Sequence, residues 1–177
     1  LDLSRAKTLL DVGGGTGAMS IRLLEAYPNL TSTIIDFPNV AEIGWKFISD
    51  AGLVDRIRYI PGNALLAEWP KEQDAILMSY LFSGIPGGEV PRLVEYAYNC
   101  LGTGGIFMVH DFMVENDRSG PPMAALWQLQ HMAFTPDARS VTPGWLCGRL
   151  LDVGFVDIVE QEMIPGLTRL IQARKPE

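Results

Sequence analysis

The chain has 177 residues, of which 47% are hydrophobic and 20% are charged, and its formal net charge at pH 7 is −7. This composition is typical of one soluble globular domain with a substantial core, and the lack of a lysine and arginine cluster argues against a nucleic-acid partner. No apolar run reaches the roughly 18 residues that a membrane-spanning helix needs, so no membrane partner is expected.

Apolar runs and amphipathic stretches alternate along the whole chain, and their periods and breakers predict its elements. In chain order we predict a strand at 7–12, a helix at 16–27, a strand at 31–36, a helix at 40–51, and strands at 57–60 and 74–80. A helix at 89–101, a glycine breaker at 102–105 and a strand at 106–112 follow. The chain continues with helices at 121–133 and 142–153 and with an antiparallel strand pair at 155–161 and 167–173. Such alternation predicts an α/β fold with a mostly parallel sheet and helices on both faces.

The first predicted strand ends in an acidic, glycine-rich loop, Asp11-Val12-Gly13-Gly14-Gly15-Thr16-Gly17. Ligands of parallel sheets bind at the carboxyl ends of the strands, and glycines there let the backbone approach a ligand closely. The spacing fits a dinucleotide loop as well as an S-adenosylmethionine loop. Asp11 favours the second ligand, because a carboxylate repels a pyrophosphate but attracts the ammonium and sulfonium groups of S-adenosylmethionine. The alternative role for Asp11 is to cap the loop amides.

Two later loops extend this predicted ligand site. Asp36 ends the second strand, where its carboxylate can accept hydrogen bonds from both hydroxyls of a ribose. Asn63 follows the third strand, and its amide can both accept from and donate to an adenine ring. Each residue has a simpler alternative as a turn former.

With Asp11 to Gly17, the segments Asp36-Phe37-Pro38, Gly62-Asn63, Gly104-Gly105 and Val153-Gly154-Phe155 occur in this order. The chain thereby resembles the catalytic domain of the class I S-adenosylmethionine-dependent methyltransferases, and more narrowly the small-molecule O-methyltransferases of the caffeate and hydroxyindole type, including bacterial members. The resemblance implies a Rossmann-like sheet of seven strands with a terminal antiparallel strand pair. It also implies methyl transfer from S-adenosylmethionine to a small-molecule acceptor, most simply O-methylation of a hydroxylated metabolite.

The resemblance also implies a separate N-terminal helical domain that dimerises, so that residues 1–177 form the catalytic domain of a homodimer. The expected cofactor-binding residues are Asp11, Gly13, Gly15, Gly17, Asp36, Phe37, Asn63, Ala64 and Ser79. The family usually has Asp where Asn63 stands and often has Lys where Ser79 stands, so both contacts are changed in this chain. The two cysteines, Cys100 and Cys147, are expected to be thiols, which is consistent with a reducing, cytoplasmic compartment.

The catalytic positions depart further from the family pattern. Ser83 stands where many members have the histidine that acts as general base, and Asp111 and Ser140 stand where two glutamates orient it. His110 is a strand neighbour of Asp111 and therefore points to the opposite face, so we interpret it as structural. His131 lies on a helix that lines the acceptor pocket in the family. We predict that His131 is the base or a substrate anchor, with Asp111 and Ser83 beside it; a surface or core histidine is the alternative.

The expected acceptor-binding residues are Tyr80, Met123, Trp127 and His131, with Met123 and Trp127 forming an apolar wall or core. A general base contributes roughly 10²–10⁴-fold, and an acidic phenol or a thioether can react without a strong one. S-methylation of a thioether acid, as in dimethylsulfoniopropionate synthesis, C-methylation, and cofactor binding without methyl transfer therefore stay open. A nicotinamide-dependent dehydrogenase is least favoured. We expect no metal site, since neighbours on a strand such as His110 and Asp111 rarely face one ion.

Overall fold

The computed structural model describes residues 2–177. Its elements are β1 (Thr8–Val12), α1 (Ala18–Ala26), β2 (Thr31–Asp36), α2 (Pro38–Asp50), β3 (Ile57–Pro61), β4 (Gln73–Ser79), α3 (Val90–Cys100), β5 (Leu101–Asp111), α4 (Pro122–Met132), α5 (Pro143–Val153), β6 (Val156–Ile164) and β7 (Thr168–Arg174). The strands form one sheet in the order β3-β2-β1-β4-β5-β7-β6. Strands β1 to β5 pair in parallel, and β7 pairs antiparallel with both β5 and β6. The predicted α/β architecture is confirmed.

Helices cover both faces of the sheet, because alternate residues of each buried strand face opposite ways. In β1, Leu9 joins a hydrophobic cluster that contains Ile48 of α2, whereas Leu10 joins a cluster that contains Val94 of α3. Helix α1 packs with the first cluster and α5 with the second. This alternation decides which side of the sheet each polar residue at a strand end faces.

Four predicted boundaries differ from the structure by two residues or more, namely the starts of α1, α2 and β5 and the end of β6. Helix α1 begins at Ala18, two residues later than predicted, because Gly17 has a left-handed backbone with φ of 86° and serves as the N-cap. Helix α3 ends at Cys100, before the glycines at 102–105, and these do not delay the next strand, since β5 starts at Leu101. Within this stretch Gly104 has φ of 74°, a backbone conformation that favours glycine.

The segment that follows β4 contains two short 3₁₀ turns, Phe82–Gly84 and Gly87–Glu89. Between them, Pro86 forms an isolated antiparallel bridge with Ala138, so this segment is tied to the chain that precedes α5. These turns, which the sequence pattern did not indicate, place Ser83 and its neighbours at the carboxyl ends of the strands. Within residues 2–177, every helix is too short or too polar to cross a membrane.

Candidate active site

A cleft of about 370 Å³ lies at the carboxyl ends of the parallel strands. It adjoins the point between β1 and β4 where the strand order reverses, which is the usual ligand position in such sheets. Its lining includes five of the residues that we predicted to bind the cofactor, namely Gly13, Asp36, Phe37, Asn63 and Ala64. Its volume is within the range of small-molecule sites.

The glycine loop after β1 leaves space and hydrogen-bonding capacity for a ligand. Gly13 and Gly15 have φ values of 68° and 58°, and no described heavy atom lies within 4 Å of where a Cβ of Gly15 would stand. The carboxylate of Asp36 accepts the backbone N–H of Gly15 and of Phe37, both at 2.7 Å. A carboxylate offers about four lone pairs, so Asp36 can still accept two hydrogen bonds from a ligand.

Asp11 lies beneath the glycine loop and does not line the cleft. Ser20 Oγ donates to Asp11 Oδ2 at 2.6 Å, and a Cβ at Gly14 would come within 2.6 Å of the Asp11 carboxyl carbon. Asp11 Oδ1 has no hydrogen-bond partner within the part of the chain that the structure describes. Burial raises the pKa of Asp11 to about 6, against the opposing effect of Ser20. Asp11 thus anchors the loop, and its direct contact with a cofactor stays a prediction.

The other predicted cofactor-binding residues differ in how far they reach the cleft. The ring of Phe37 is about half exposed at the cleft edge, where it can stack on a base. Asn63 Oδ1 accepts the backbone N–H of Leu65 at 2.9 Å, so Asn63 does form a turn, while its amide nitrogen stays available to donate. Gly17 serves as the N-cap of α1 and is not part of the cleft lining.

Ser79 belongs to a buried polar chain on the α1 face of the sheet. Its Oγ lies 3.0 Å from His110 Nδ1, and His110 Nε2 lies 3.1 Å from Thr168 Oγ1. Burial lowers the pKa of His110, which keeps the ring neutral near pH 7. These contacts agree with the structural interpretation of His110, and the cofactor contact of Ser79 stays a prediction. No three His, Cys, Asp or Glu side chains of residues 2–177 are grouped to hold a metal ion.

The three predicted catalytic residues lie close together at the carboxyl end of β5. Asp111 Oδ2 accepts the buried backbone N–H of Ser83 at 3.0 Å, and Oδ1 accepts the N–H of Phe112 at 2.8 Å. Burial raises the pKa of Asp111, while these hydrogen bonds and the nearby His131 act in the opposite direction. Asp111 and His131 both adjoin the turn at 82–84, since Asp111 binds the Ser83 amide and His131 lies against Gly84.

The neighbours of His131 define which ring nitrogen is free. His131 Nδ1 lies 3.3 Å from the carbonyl oxygen of Trp127, which can only accept, so in the neutral ring Nδ1 carries the proton and Nε2 the lone pair. A Cβ at Gly84, which lines the cleft, would lie 3.3 Å from His131 Cδ2 and 3.6 Å from Nε2. Thr135 Oγ1 donates to the Gly84 carbonyl at 3.1 Å and fixes the end of α4 against this turn.

An aromatic cluster adjoins these groups. The rings of Phe112 and Trp127 stack with centroids 4.1 Å apart, Tyr80 lies 5.1 Å from Phe112, and His131 lies 5.0 Å from Trp127. Tyr80 has φ of 57°, an uncommon value for a non-glycine residue that often marks a functional position. Tyr80, Trp127 and His131 are thus neighbours. Met123 is 58% exposed, so it is not a core residue, and its role in an apolar wall of the acceptor site stays a prediction.

Sequence reasoning missed three residues that shape the site. Ser20 donates to Asp11, and its position on the inner face of α1 was the available signal. Tyr59 donates to the carbonyl of Gly15 at 2.9 Å, and burial raises its pKa to about 12. Gly84 makes room for the His131 ring, and its place directly after Ser83 in the sequence was the only hint.

Mostly parallel sheets of this kind are typical of enzymes that transfer groups from a bound cofactor. This sheet carries a glycine loop, a carboxylate that can bind a ribose, and an acid and a histidine at one turn. The family model of the O-methyltransferase domain matches residues 1–143, and the chain belongs to this family. The family uses S-adenosylmethionine as its cofactor, so the resemblance stated from the sequence is confirmed.

Named relatives support this assignment. The 3-hydroxy-5-methyl-1-naphthoate 3-O-methyltransferase of Streptomyces sahachiroi is 30% identical over 135 residues, which cover 76% of this chain and 39% of the relative. The L-tyrosine C(3)-methyltransferase of Streptomyces lavendulae is 36% identical over 126 residues, which cover 71% of this chain and 34% of that protein.

A solved structure shows the same fold. The chain superimposes on human N-acetylserotonin methyltransferase in complex with S-adenosylmethionine with a TM-score of 0.87 and 25% identity. The match covers 100% of this chain and 50% of the human chain. The chain thus spans about half the length, or less, of the relatives that it matches.

Proposed function

We propose that the protein transfers a methyl group from S-adenosylmethionine to a hydroxyl oxygen of a small metabolite, with His131 as the general base. The observation that carries the assignment of His131 is the position of its Nε2 against Gly84, which lines the cleft and follows Ser83, whose backbone amide binds Asp111. In this proposal, His131 on α4 acts as the base in place of the histidine that many family members have at the position of Ser83.

The residues of the cleft fit the cofactor. The two free lone pairs of Asp36 suit the ribose hydroxyls, the Phe37 ring suits the adenine face, and the open space above Gly15 admits the amino-acid part. When bound, S-adenosylmethionine supplies a methyl group on an electrophilic sulfonium. The chain positions the acceptor at near-attack distance, which contributes much of the acceleration in such displacements.

In the proposed reaction, His131 Nε2 would remove the proton of the acceptor hydroxyl. Its oxygen would then take the methyl group as the methyl–sulfur bond breaks, and S-adenosylhomocysteine would leave with the bonding electron pair. An ionised Asp111, held beside the same turn by the Ser83 amide, would stabilise the imidazolium that forms. The amides of Ser83 and Phe112 hold that carboxylate in place. The aromatic cluster of Tyr80, Phe112 and Trp127 offers planar surface for a ring-containing acceptor.

The test compares the full-length protein with its His131→Gln variant on a panel of phenols and hydroxylated aromatic acids. We expect kcat to fall by roughly 10²–10⁴-fold, the usual contribution of a general base, while the affinity for S-adenosylhomocysteine stays the same. Gln130→Ala, an exposed neighbour on α4, is the matched control and should retain its activity. Undiminished kcat in His131→Gln would reject the base. Cofactor binding without turnover on any acceptor would favour a domain that does not transfer methyl groups.

C-methylation is the second candidate, because the 36% identical relative is named as a C(3)-methyltransferase of L-tyrosine. The C(3) carbon of tyrosine is ortho to the phenol and becomes nucleophilic when the phenol loses its proton, so the same base serves both reactions. Transfer of a ¹³C-labelled methyl group, read by NMR, distinguishes a methoxy product from a ring-methyl product. S-methylation of a thioether needs no base, so His131→Gln would leave that reaction unchanged.

The surroundings of the domain are also proposals. A helical domain that dimerises would place a second copy of the catalytic domain in one assembly, and the free thiols of Cys100 and Cys147 are compatible with a cytoplasmic protein. Light scattering of the full-length protein tests the dimer, and a monomer would reject it.

A further inference from the structure

A second cavity, of about 700 Å³, adjoins the cofactor cleft. Pro86 lines both, and the bridge from Pro86 to Ala138, together with the hydrogen bond from Gly87 N to Asp137 O at 2.9 Å, forms the wall that they share. The polar and aromatic lining of this second cavity includes Arg118, Asp137, Arg139, Ser140 and Trp145. The proposed methyl transfer uses none of these five residues.

Two cationic side chains in this lining have no protein partner. Neither Arg118 nor Arg139 forms a side-chain hydrogen bond or ion pair within residues 2–177. The stem of the exposed Arg139 lies against Gly87, where a Cβ would meet its carbons at 3.3–3.4 Å. Two arginines against the single carboxylate of Asp137 leave a net charge of +1 in the lining, although the whole chain carries −7.

A buried donor lies directly behind the lining. Ser140 Oγ donates to Gln128 Oε1 at 3.2 Å, while the amide nitrogen of Gln128, a residue only 7% exposed, has no partner among the described residues. The first amides of α5 are already used, because Asn116 accepts from Gly144 and Thr142 accepts from Trp145. Side chains, and not the helix terminus, therefore supply the free donors.

We propose that this second cavity binds an aromatic carboxylate. The guanidinium groups of Arg118 and Arg139 match a carboxylate in charge and planar geometry. The indole of Trp145 is 42% exposed and offers a face for an aromatic ring. The volume suits a small molecule, and the excess of donors in the lining selects an anion over a cation. The site is independent of the proposed methyl transfer.

The test is a chemical-shift titration of the ¹⁵N-labelled full-length protein, followed at the Trp145 indole N–H. Trp145→Phe assigns that signal. The probes are benzoate, the uncharged benzamide, and acetate, which lacks the ring. We expect saturable shifts with benzoate. Binding should be at least about tenfold weaker with benzamide, which cannot form the hydrogen bonds of a charged carboxylate. It should also be weaker with acetate, which has no ring to pack on Trp145.

Variants separate this site from the rest of the protein. Arg118→Gln and Arg139→Gln should each weaken benzoate binding by roughly tenfold, and the matched surface control Arg22→Gln should not change it. Arg139→Lys keeps the charge and should retain part of the affinity, which excludes misfolding as the cause of a loss. Affinity for S-adenosylhomocysteine should be equal in all variants. Equal binding of benzoate and benzamide, or benzoate binding that neither arginine affects, would overturn the proposal.

Discussion

The two halves of the candidate site are built differently. The cofactor half joins the glycine loop to Asp36 through a backbone amide, within 25 residues of sequence, and its shape depends on the left-handed backbone of Gly13 and Gly15. The acceptor half brings together Ser83, Asp111 and His131 from a 3₁₀ turn, a strand end and a helix. A backbone site constrains which residue types can occupy it, whereas a side-chain site can move its catalytic group to another element. The first half therefore keeps the family motif, and the second half departs from it.

The largest effect on the cofactor half should come from Asp36→Ala. Loss of this carboxylate removes two ribose hydrogen bonds and releases the amides of Gly15 and Phe37. Hydrogen bonds to charged groups contribute about 1.5–3 kcal/mol each, so affinity for S-adenosylhomocysteine should fall by roughly 10²–10⁴-fold in calorimetric titration. Glu42→Ala, an exposed carboxylate on α2, is the control. A loss below tenfold would mean that the ribose does not bind at Asp36.

The next prediction concerns Asp11, which the sequence placed at the ligand and the structure places below the loop. Burial raises its pKa from the usual 3.8 to about 6, so between these values the native state holds a proton that the unfolded state releases. Its contribution to the free energy of unfolding therefore falls as pH rises through this window, by about 3 kcal/mol in total. Asp11→Asn should remove that term.

Urea denaturation from pH 4 to pH 7 measures this effect. The free energy of unfolding of Asp11→Asn, minus that of the parent, should increase by about 3 kcal/mol between these limits. If the free energies of unfolding of the two proteins depend on pH in the same way, the carboxyl group of Asp11 does not have a raised pKa in the native state. If a bound cofactor also contacts Asp11, saturating S-adenosylhomocysteine should bring the two profiles closer together, which sharpens the distinction between loop anchor and ligand contact.

Steric crowding under the glycine loop gives a smaller effect. A Cβ at Gly14 would lie 2.6 Å from the Asp11 carboxyl carbon and 2.8 Å from Ile34 Cγ2, and both side chains are buried. Gly14→Ala should lower the free energy of unfolding by about 1–3 kcal/mol, as overpacking does. Gly148→Ala is the matched control in α5, where no described atom crowds the new Cβ, and it should raise stability by about 0.5–1 kcal/mol. Equal effects of the two changes would contradict the close packing of the loop.

The sequence predicted the fold well, because periodicity and glycine spacing report directly on backbone geometry, and five of the predicted cofactor-binding residues line the cleft. It located Asp36, Asn63 and the glycine loop, but the side-chain direction of Asp11 depends on Ser20, a contact that spacing alone does not reveal. In the acceptor half, sequence proximity predicted that His110 and Asp111 face apart. It did not show that Gly84 makes room for the ring of His131, since that contact joins residues 47 positions apart.

The smallest effect is expected at Ser83, the position where many family members have the catalytic histidine. Its Oγ is buried without a hydrogen-bond partner in the described chain, whereas its backbone amide, which binds Asp111, persists in alanine. Ser83→Ala should thus raise the free energy of unfolding by up to about 1 kcal/mol, since it removes an unsatisfied polar group. Steady-state kinetics should show a change in kcat of less than about threefold, far below the loss of a general base.

Ser20→Ala is the contrasting serine change, because Ser20 donates to the buried Asp11 and its loss should destabilise the fold by about 1–3 kcal/mol. If Ser83→Ala instead lowers kcat by 10²-fold or more, then the hydroxyl itself takes part in proton transfer. In that case position 83 would have kept its catalytic function, with a serine in place of the family's histidine. If kcat is retained, the function has moved to His131 and only the Ser83 backbone amide still serves the site.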